Sequence, residues 1–277
     1  MLTLLLTFLP TPRGLGSEVL RVNGSTTVNL PVAEAAEILR RERGLRIVID
    51  TQGGSAGGIA LLGDGRAHVG MSSKPLTDTD RTRFPQVRFH ETVIGVDAVA
   101  LVVSRDVWDG GVRSLTRDQA RGIYEGTFRN WDLLGGPDRR IAFFNKEPGR
   151  GTWEIFVHWL YGDARHAPPV SFPEVGGNEE ARAKVASTRG AIAPLSASWT
   201  DNATTFALGL RLEPDTVVHP TPADLTAGRY PLSRSLYLLT DGEPSGAARE
   251  LVDLLLSDRG QAIVRRHGYQ PAPPPAP

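Results

Sequence analysis

The chain has 277 residues, 40% apolar and 22% charged, an ordinary globular composition with room for one large domain or two lobes. Lys plus Arg equals Asp plus Glu at 31 each, so bulk charge gives no reason to expect a nucleic-acid partner, and any anion ligand must be held by local donors. There are no cysteines, which excludes disulfides, thiolate metal sites, a cysteine nucleophile and a lipoprotein acyl anchor.

Residues 1–9 form a short apolar run, followed by Pro10 and by Gly14, Leu15, Gly16 and Ser17. This is the pattern of the end of a secretory signal peptide without its basic n-region, as a truncated leader would leave it. The run is far too short to span a bilayer. Residues 1–16 are therefore expected to be a leader, the mature chain to start close to Ser17, and the location to be periplasmic.

A strand over 19–22 leads into Gly24-Ser25-Thr26-Thr27 and a helix over 28–43. In that helix Val32, Ala35, Ala36 and Leu39 share one face, and Gly44 is a natural stop. A strand over 45–50 is followed by a glycine-rich turn around Ser55 and a short helix through Leu62. The strand over 67–71 ends at Ser72-Ser73, and strands follow over 87–94 and 96–104, the second apolar enough to be buried on both faces. Thr116-Arg117-Asp118-Gln119 is a capping box that opens a helix. A strand over 141–145 turns through Gly149-Arg150-Gly151-Thr152 into an aromatic-rich helix over 153–161. Asn178 caps a further helix; strands are expected over 191–195, 207–212 and 230–239, then a helix pair from Ser245 to near Gly268. The Pro/Ala-rich tail 271–277 is expected to be disordered. Strands alternating with helices make the class α/β, with mostly parallel sheets expected.

Four segments share one design, a strand running into a Gly/Ser/Thr turn: those at Ser25 and Thr26, at Ser55, at Ser72 and Ser73, and at Gly151 and Thr152. Turns of this kind lie at the carboxyl ends of strands, where helix N-termini present unpaired N–H groups and hydroxyls add neutral donors. Together they suit an anion. Each alone reads as an ordinary helix cap.

In order and spacing, these pieces resemble the phosphate-binding PstS-like proteins of ABC importers, over about residues 19–270. The motifs are Asn23-Gly-Ser-Thr-Thr-Val28, Gly53-Gly-Ser-Ala-Gly-Gly58, Val69-Gly-Met-Ser-Ser73, Glu147-Pro-Gly-Arg-Gly-Thr152 and Tyr230-Pro-Leu-Ser-Arg234. The resemblance implies a two-lobed type II periplasmic-binding-protein fold with a ligand cleft between the lobes. It implies capture of inorganic phosphate for ABC permease subunits by a monomer, with no enzyme activity, no cofactor and no metal. Donors would be Ser25, Thr26, Ser55 and Ser72 from lobe one, and Lys146, Gly151 and Thr152 from lobe two. Lobe one is expected to hold 17–96 and 207–270, and lobe two 97–206.

The chain departs from the family pattern three times. Lys146 stands where the family has an arginine, and lysine lacks the two-pronged fork. Arg150 stands for a serine and either supplies that fork or is a solvated surface residue. Ser73 stands where many members have an aspartate, which accepts the proton of hydrogen phosphate and repels sulfate. Sulfate and molybdate are therefore alternative ligands, and a non-transport sensor is an alternative role. A serine hydrolase with Ser55 in a Gly-x-Ser-x-Gly elbow and His267 as base is the remote one.

Overall fold

The computed structural model describes residues 19–213 and 216–274. Residues 1–18 and 275–277, and with them the expected leader and the end of the tail, lie outside the described residues.

In chain order the first elements are β1 (Leu20–Gly24), α1 (Thr26–Arg43), β2 (Ile47–Asp50), α2 (Gly54–Gly63), β3 (Val69–Ser72), α3 (Asp78–Arg83) and β4 (Phe89–Ser104). Strands β1, β2 and β3 are connected by helical crossovers and pair in parallel, in the order β2-β1-β3. Their carboxyl ends, and the turns that follow them, therefore share one edge of the sheet.

Next come α4 (Arg105–Asp109), β5 (Ser114–Thr116), α5 (Arg117–Tyr124), β6 (Ala142–Phe143), β7 (Asn145–Lys146), α6 (Gly151–Tyr161), β8 (Glu174–Val175), α7 (Asn178–Ser187) and β9 (Ala191–Ser196). The chain ends through β10 (Thr205–Ala207), β11 (Gly209–Glu213), β12 (Thr216–Val218), α8 (Pro222–Thr226), β13 (Ser233–Asp241), α9 (Gly246–Leu256), α10 (Asp258–Arg266) and β14 (Gln270–Pro271).

One long strand carries the architecture. β4 has 16 residues where two strands were expected, and at about 3.3 Å per residue it spans both lobes. Opposite β13 its register shifts, with Leu236 facing Gly95 and Tyr237 facing Val93, so Ile94 is the extra residue of a bulge. The sheet runs β2-β1-β3-β13-β4-β9-β6, with β10 and β14 also on β4. β13, β9, β10 and β14 all pair with β4 antiparallel. The expectation of mostly parallel sheets thus holds for β1–β3 and fails for the strands around β4, where the chain doubles back between lobes.

Each lobe has its own core. In lobe one, Val22, Val28, Val32, Met71, Leu236, Leu251 and Val264 pack together. In lobe two, Val99, Leu101 and Val103 of β4 face Leu115, Trp131 and Phe156, while Ala100 and Val102 face Val175, Ala181 and Val185 on the opposite side. That alternation is the period of a strand buried on both faces.

Two expected boundaries are corrected. Leu208, Leu210, Val218, Tyr230 and Leu232 belong to the core of lobe two, so the stretch from 207 to about 232 does not sit in lobe one. The cause is β11, which pairs in parallel with β5, a partner nothing in its own sequence specifies. The return crossing falls between Leu232 and Leu236. At the tail, Pro271 pairs with Gly95, and the Ala272 N–H donates to Gln261 Oε1 at 2.8 Å, so the expected disorder does not begin at 271.

Candidate anion-binding site

The wall from lobe one is built by the three parallel β-α turns. Gly24 has φ +140°, and a Cβ there would lie 2.1 Å from the Met71 carbonyl oxygen, so only glycine lets β1 turn this close to β3. Ser25 then caps α1: its Oγ accepts from Thr27 N at 3.2 Å and its hydroxyl donates to Ser73 Oγ at 2.9 Å. Ser55, in the first turn of α2, accepts from Ser73 N at 3.1 Å.

Lobe two supplies the N-termini of α6 and α7 and the lysine of β7. The lobes meet directly. Gly151 opens α6 against the two serines, where a Cβ would lie 2.5 Å from Ser73 Oγ and 2.9 Å from Ser55 Oγ. Ala56 N donates to Gly149 O at 3.1 Å, and Asn178 Nδ2 to Thr27 Oγ1 at 2.8 Å. Beside them, Lys74 of lobe one lies 3.2 Å from both Asp80 and Glu154, the latter on α6. Burial pushes the Glu154 carboxyl up, opposed by Lys74.

Between the walls is a cavity of about 10 Å³ lined by Ser25, Thr26, Thr27, Gly54, Ser55, Ser73, Lys146, Arg150, Gly151, Thr152, Gly176 and Asn178. That is the room of about one water, far below the roughly 300–1,000 Å³ of organic-ligand pockets, so the site as it stands excludes organic ligands and the walls would have to part slightly for a small ion. Four helices, α1, α2, α6 and α7, direct N-termini at it, each with first-turn N–H groups and a positive dipole end. Among the described residues no carboxylate lines it.

Of the expected donors, Ser25, Thr26, Ser55, Ser73, Lys146, Arg150, Gly151 and Thr152 come together around this cavity. Ser72 does not. Its hydroxyl donates to Lys74 O at 2.7 Å and accepts from Lys74 N, turned away by the alternation of a strand that aims Ser73 inward. Lys146 Nζ donates to Gly176 O at 3.0 Å and Gly177 O at 2.8 Å, leaving one of its three N–H bonds. Burial brings its ammonium down to about 7, helped by Arg150 and Arg234. Arg150 is not a free fork: Nε and Nη2 both donate to Glu147 Oε2, at 2.9 and 2.7 Å, and Nη1 reaches Thr51 O at 3.4 Å across the lobes.

Four contributors escaped the sequence reading. Thr27 and Asn178 line the cavity. Behind them, Arg234 of β13 and Asp97 of β4 form a buried pair, with side chains 0% and 2% exposed. Arg234 Nε and Nη2 donate to Asp97 Oδ2 at 3.0 and 2.7 Å, and Ser196 donates to Asp97 Oδ1 at 2.8 Å. Burial pushes the Asp97 carboxyl up, and Arg234 pulls it the other way. The available signal was a carboxylate inside the apolar run of β4.

A family model described as a PBP superfamily domain matches residues 11–259. The phosphate-binding protein PstS of Bacillus subtilis is 28% identical over 262 residues, which cover 91% of this chain and 80% of that protein. Among solved structures, a phosphate ABC transporter substrate-binding protein from Clostridium perfringens with bound phosphate superposes with a TM-score of 0.81. It is 26% identical and is matched over 92% of this chain and all of its own. An ABC-type phosphate transport receptor from Vibrio cholerae gives a TM-score of 0.72 at 25% identity, over 91% of this chain and 100% of its own. The chain belongs to the PBP superfamily domain family, with the two-lobed α/β fold of the phosphate-binding proteins it resembles.

Proposed function

We propose that the chain captures inorganic phosphate in the cleft between its lobes and delivers it, as an exported periplasmic protein, to the permease subunits of an ABC importer. One observation carries this reading: a small cavity enclosed by both lobes, lined by hydroxyls, helix N-termini and two cations, with no carboxylate among the described lining residues. Such a lining offers a tetrahedral oxyanion donors on all sides. The names of the relatives in Bacillus subtilis, Clostridium perfringens and Vibrio cholerae agree with it. Because a serine stands at position 73, sulfate and molybdate remain competing ligands on chemical grounds.

The binding role is favoured over a hydrolase by the partners of Ser55. Its Oγ accepts from Ser73 N and faces Ser73 Oγ at 3.4 Å. His267, the base a nucleophile would need, is 2.9 Å from Glu34 instead.

Thermal unfolding tests the proposal. A ligand that binds only the folded state at a thousandfold excess over Kd stabilises it by about 4 kcal/mol. For a chain of this size phosphate should then raise Tm by roughly 8–16 °C. A melting curve indifferent to phosphate, sulfate and molybdate, in protein unfolded and refolded to strip carried-over anion, would overturn it.

A further inference from the structure

Arg234 touches the anion-lining residues without lining the cavity itself. Its Nη1 donates to Thr152 Oγ1 at 3.0 Å and its Nη2 to Thr27 Oγ1 at 3.1 Å, one threonine from each lobe. A guanidinium has donors and no acceptor, so the direction of both bonds is fixed. Each threonine oxygen must accept, and its hydroxyl hydrogen must go elsewhere. Thr27 Oγ1 also accepts from Asn178 Nδ2 at 2.8 Å, so both its lone pairs are used. Among the described residues neither hydroxyl has a protein acceptor, and both residues line the cavity.

We infer that Arg234 is a positioning residue, which turns the Thr27 and Thr152 hydroxyl hydrogens toward a captured anion by occupying their oxygens from behind. This rests on the anion-capture reading. Asp97 neutralises the guanidinium, so the effect is orientational rather than a distant charge. Without Arg234 each hydroxyl is free to rotate among its staggered positions, and its hydrogen is no longer directed at the cavity. Arg234 also sits at the return crossing, between Leu232 in one core and Leu236 in the other. Both its threonine bonds exist together only when the lobes meet, which ties donor orientation to closure.

The test is a cycle read by calorimetry with phosphate. Arg234→Lys keeps a cation for Asp97 but lacks the fork that spans two threonines. It should melt within a few degrees of the parent without ligand, and bind phosphate roughly 10- to 100-fold more weakly, the value of two hydrogen bonds. Thr27→Val with Thr152→Val should lose a comparable amount. Combining all three changes should cost no more than about threefold beyond the weaker parent, because the same two donors have already been lost. If the lysine variant does not fold, Arg234→Met with Asp97→Asn, which removes both buried charges together, takes its place in the cycle. Losses that multiply in the combined variant, or phosphate affinity unchanged by the Arg234 substitution, would overturn the inference while leaving anion capture standing. Absence of phosphate binding by the unaltered chain would overturn both.

Discussion

The two walls of the cleft are made differently. Lobe one presents neutral donors from three parallel β-α turns, each serine anchored by bonds within its own lobe, as in Ser25 to Ser73 and Ser73 to Ser55. Lobe two presents charge, Lys146 and Arg150, from short peripheral elements whose contacts run to local carbonyls and to Glu147. The first wall is a product of sheet topology, and the second a pair of cations on β7 and at the start of α6, each held by local hydrogen bonds. If the cavity captures an anion, lobe one would contribute mainly neutral donors and lobe two would add the positive charge.

The comparison breaks most sharply at Ser73. Ser73→Asp places a carboxylate in a desolvated wall that otherwise only donates. Sulfate has no proton to offer it, so any sulfate binding should disappear, while phosphate survives through its own hydroxyl. Paired titrations with the two anions check this. Equal retention of both would show that Ser73 does not face the ligand.

Gly151→Ala tests whether the walls must touch. The added methyl would meet both Ser73 Oγ and Ser55 Oγ. Phosphate affinity should fall at least about 100-fold, of order 3 kcal/mol, through incomplete closure. The ligand-free Tm should fall by no more than the roughly 2–12 °C that about 1–3 kcal/mol of overpacking costs, and calorimetry beside a melting curve separates the two effects.

Thr152→Val removes one hydroxyl at constant shape and should weaken phosphate by about 1–3 kcal/mol. The effect should fall on the dissociation rate measured by stopped flow, because the bond forms only in the closed cleft.

The effect of pH is graded, small per fraction of a unit near pH 7, and it comes from the lysine of lobe two. The Lys146 ammonium is brought down to about 7 by burial, and a bound anion favours its charged form. Sulfate or molybdate affinity should therefore decline above pH 7, by up to tenfold per unit. Ligand-free stability should move oppositely. The unfolded lysine holds a proton that the folded one has lost between about pH 7 and 10.5, so unfolding free energy gains stability as pH rises through that window. Lys146→Met should flatten both profiles.

The same division separates what the sequence made legible from what it hid. Lobe one's turns announce themselves, because each glycine-serine pair follows a predicted strand and parallel crossovers bring all their ends to one edge. Ser72 was misassigned because two adjacent serines look alike until strand alternation sends them to opposite sides. The return crossing was missed because β11 chooses β5 through packing far away in sequence. Arg234 was visible as part of a motif, but its role depends on Asp97, Thr27 and Thr152 converging from three other elements, a juxtaposition that only the folded chain displays. Arg150 was readable as a cation and not as one already held by Glu147.

Anion capture requires the two walls to close on one small oxyanion. Calorimetric titration of the refolded, anion-free protein with phosphate tests it most directly. Saturable binding of one phosphate per chain is expected, weakened by both Ser25→Ala on one wall and Thr152→Val on the other. Binding that responds to substitutions on only one wall, or no heat beyond dilution, would contradict it.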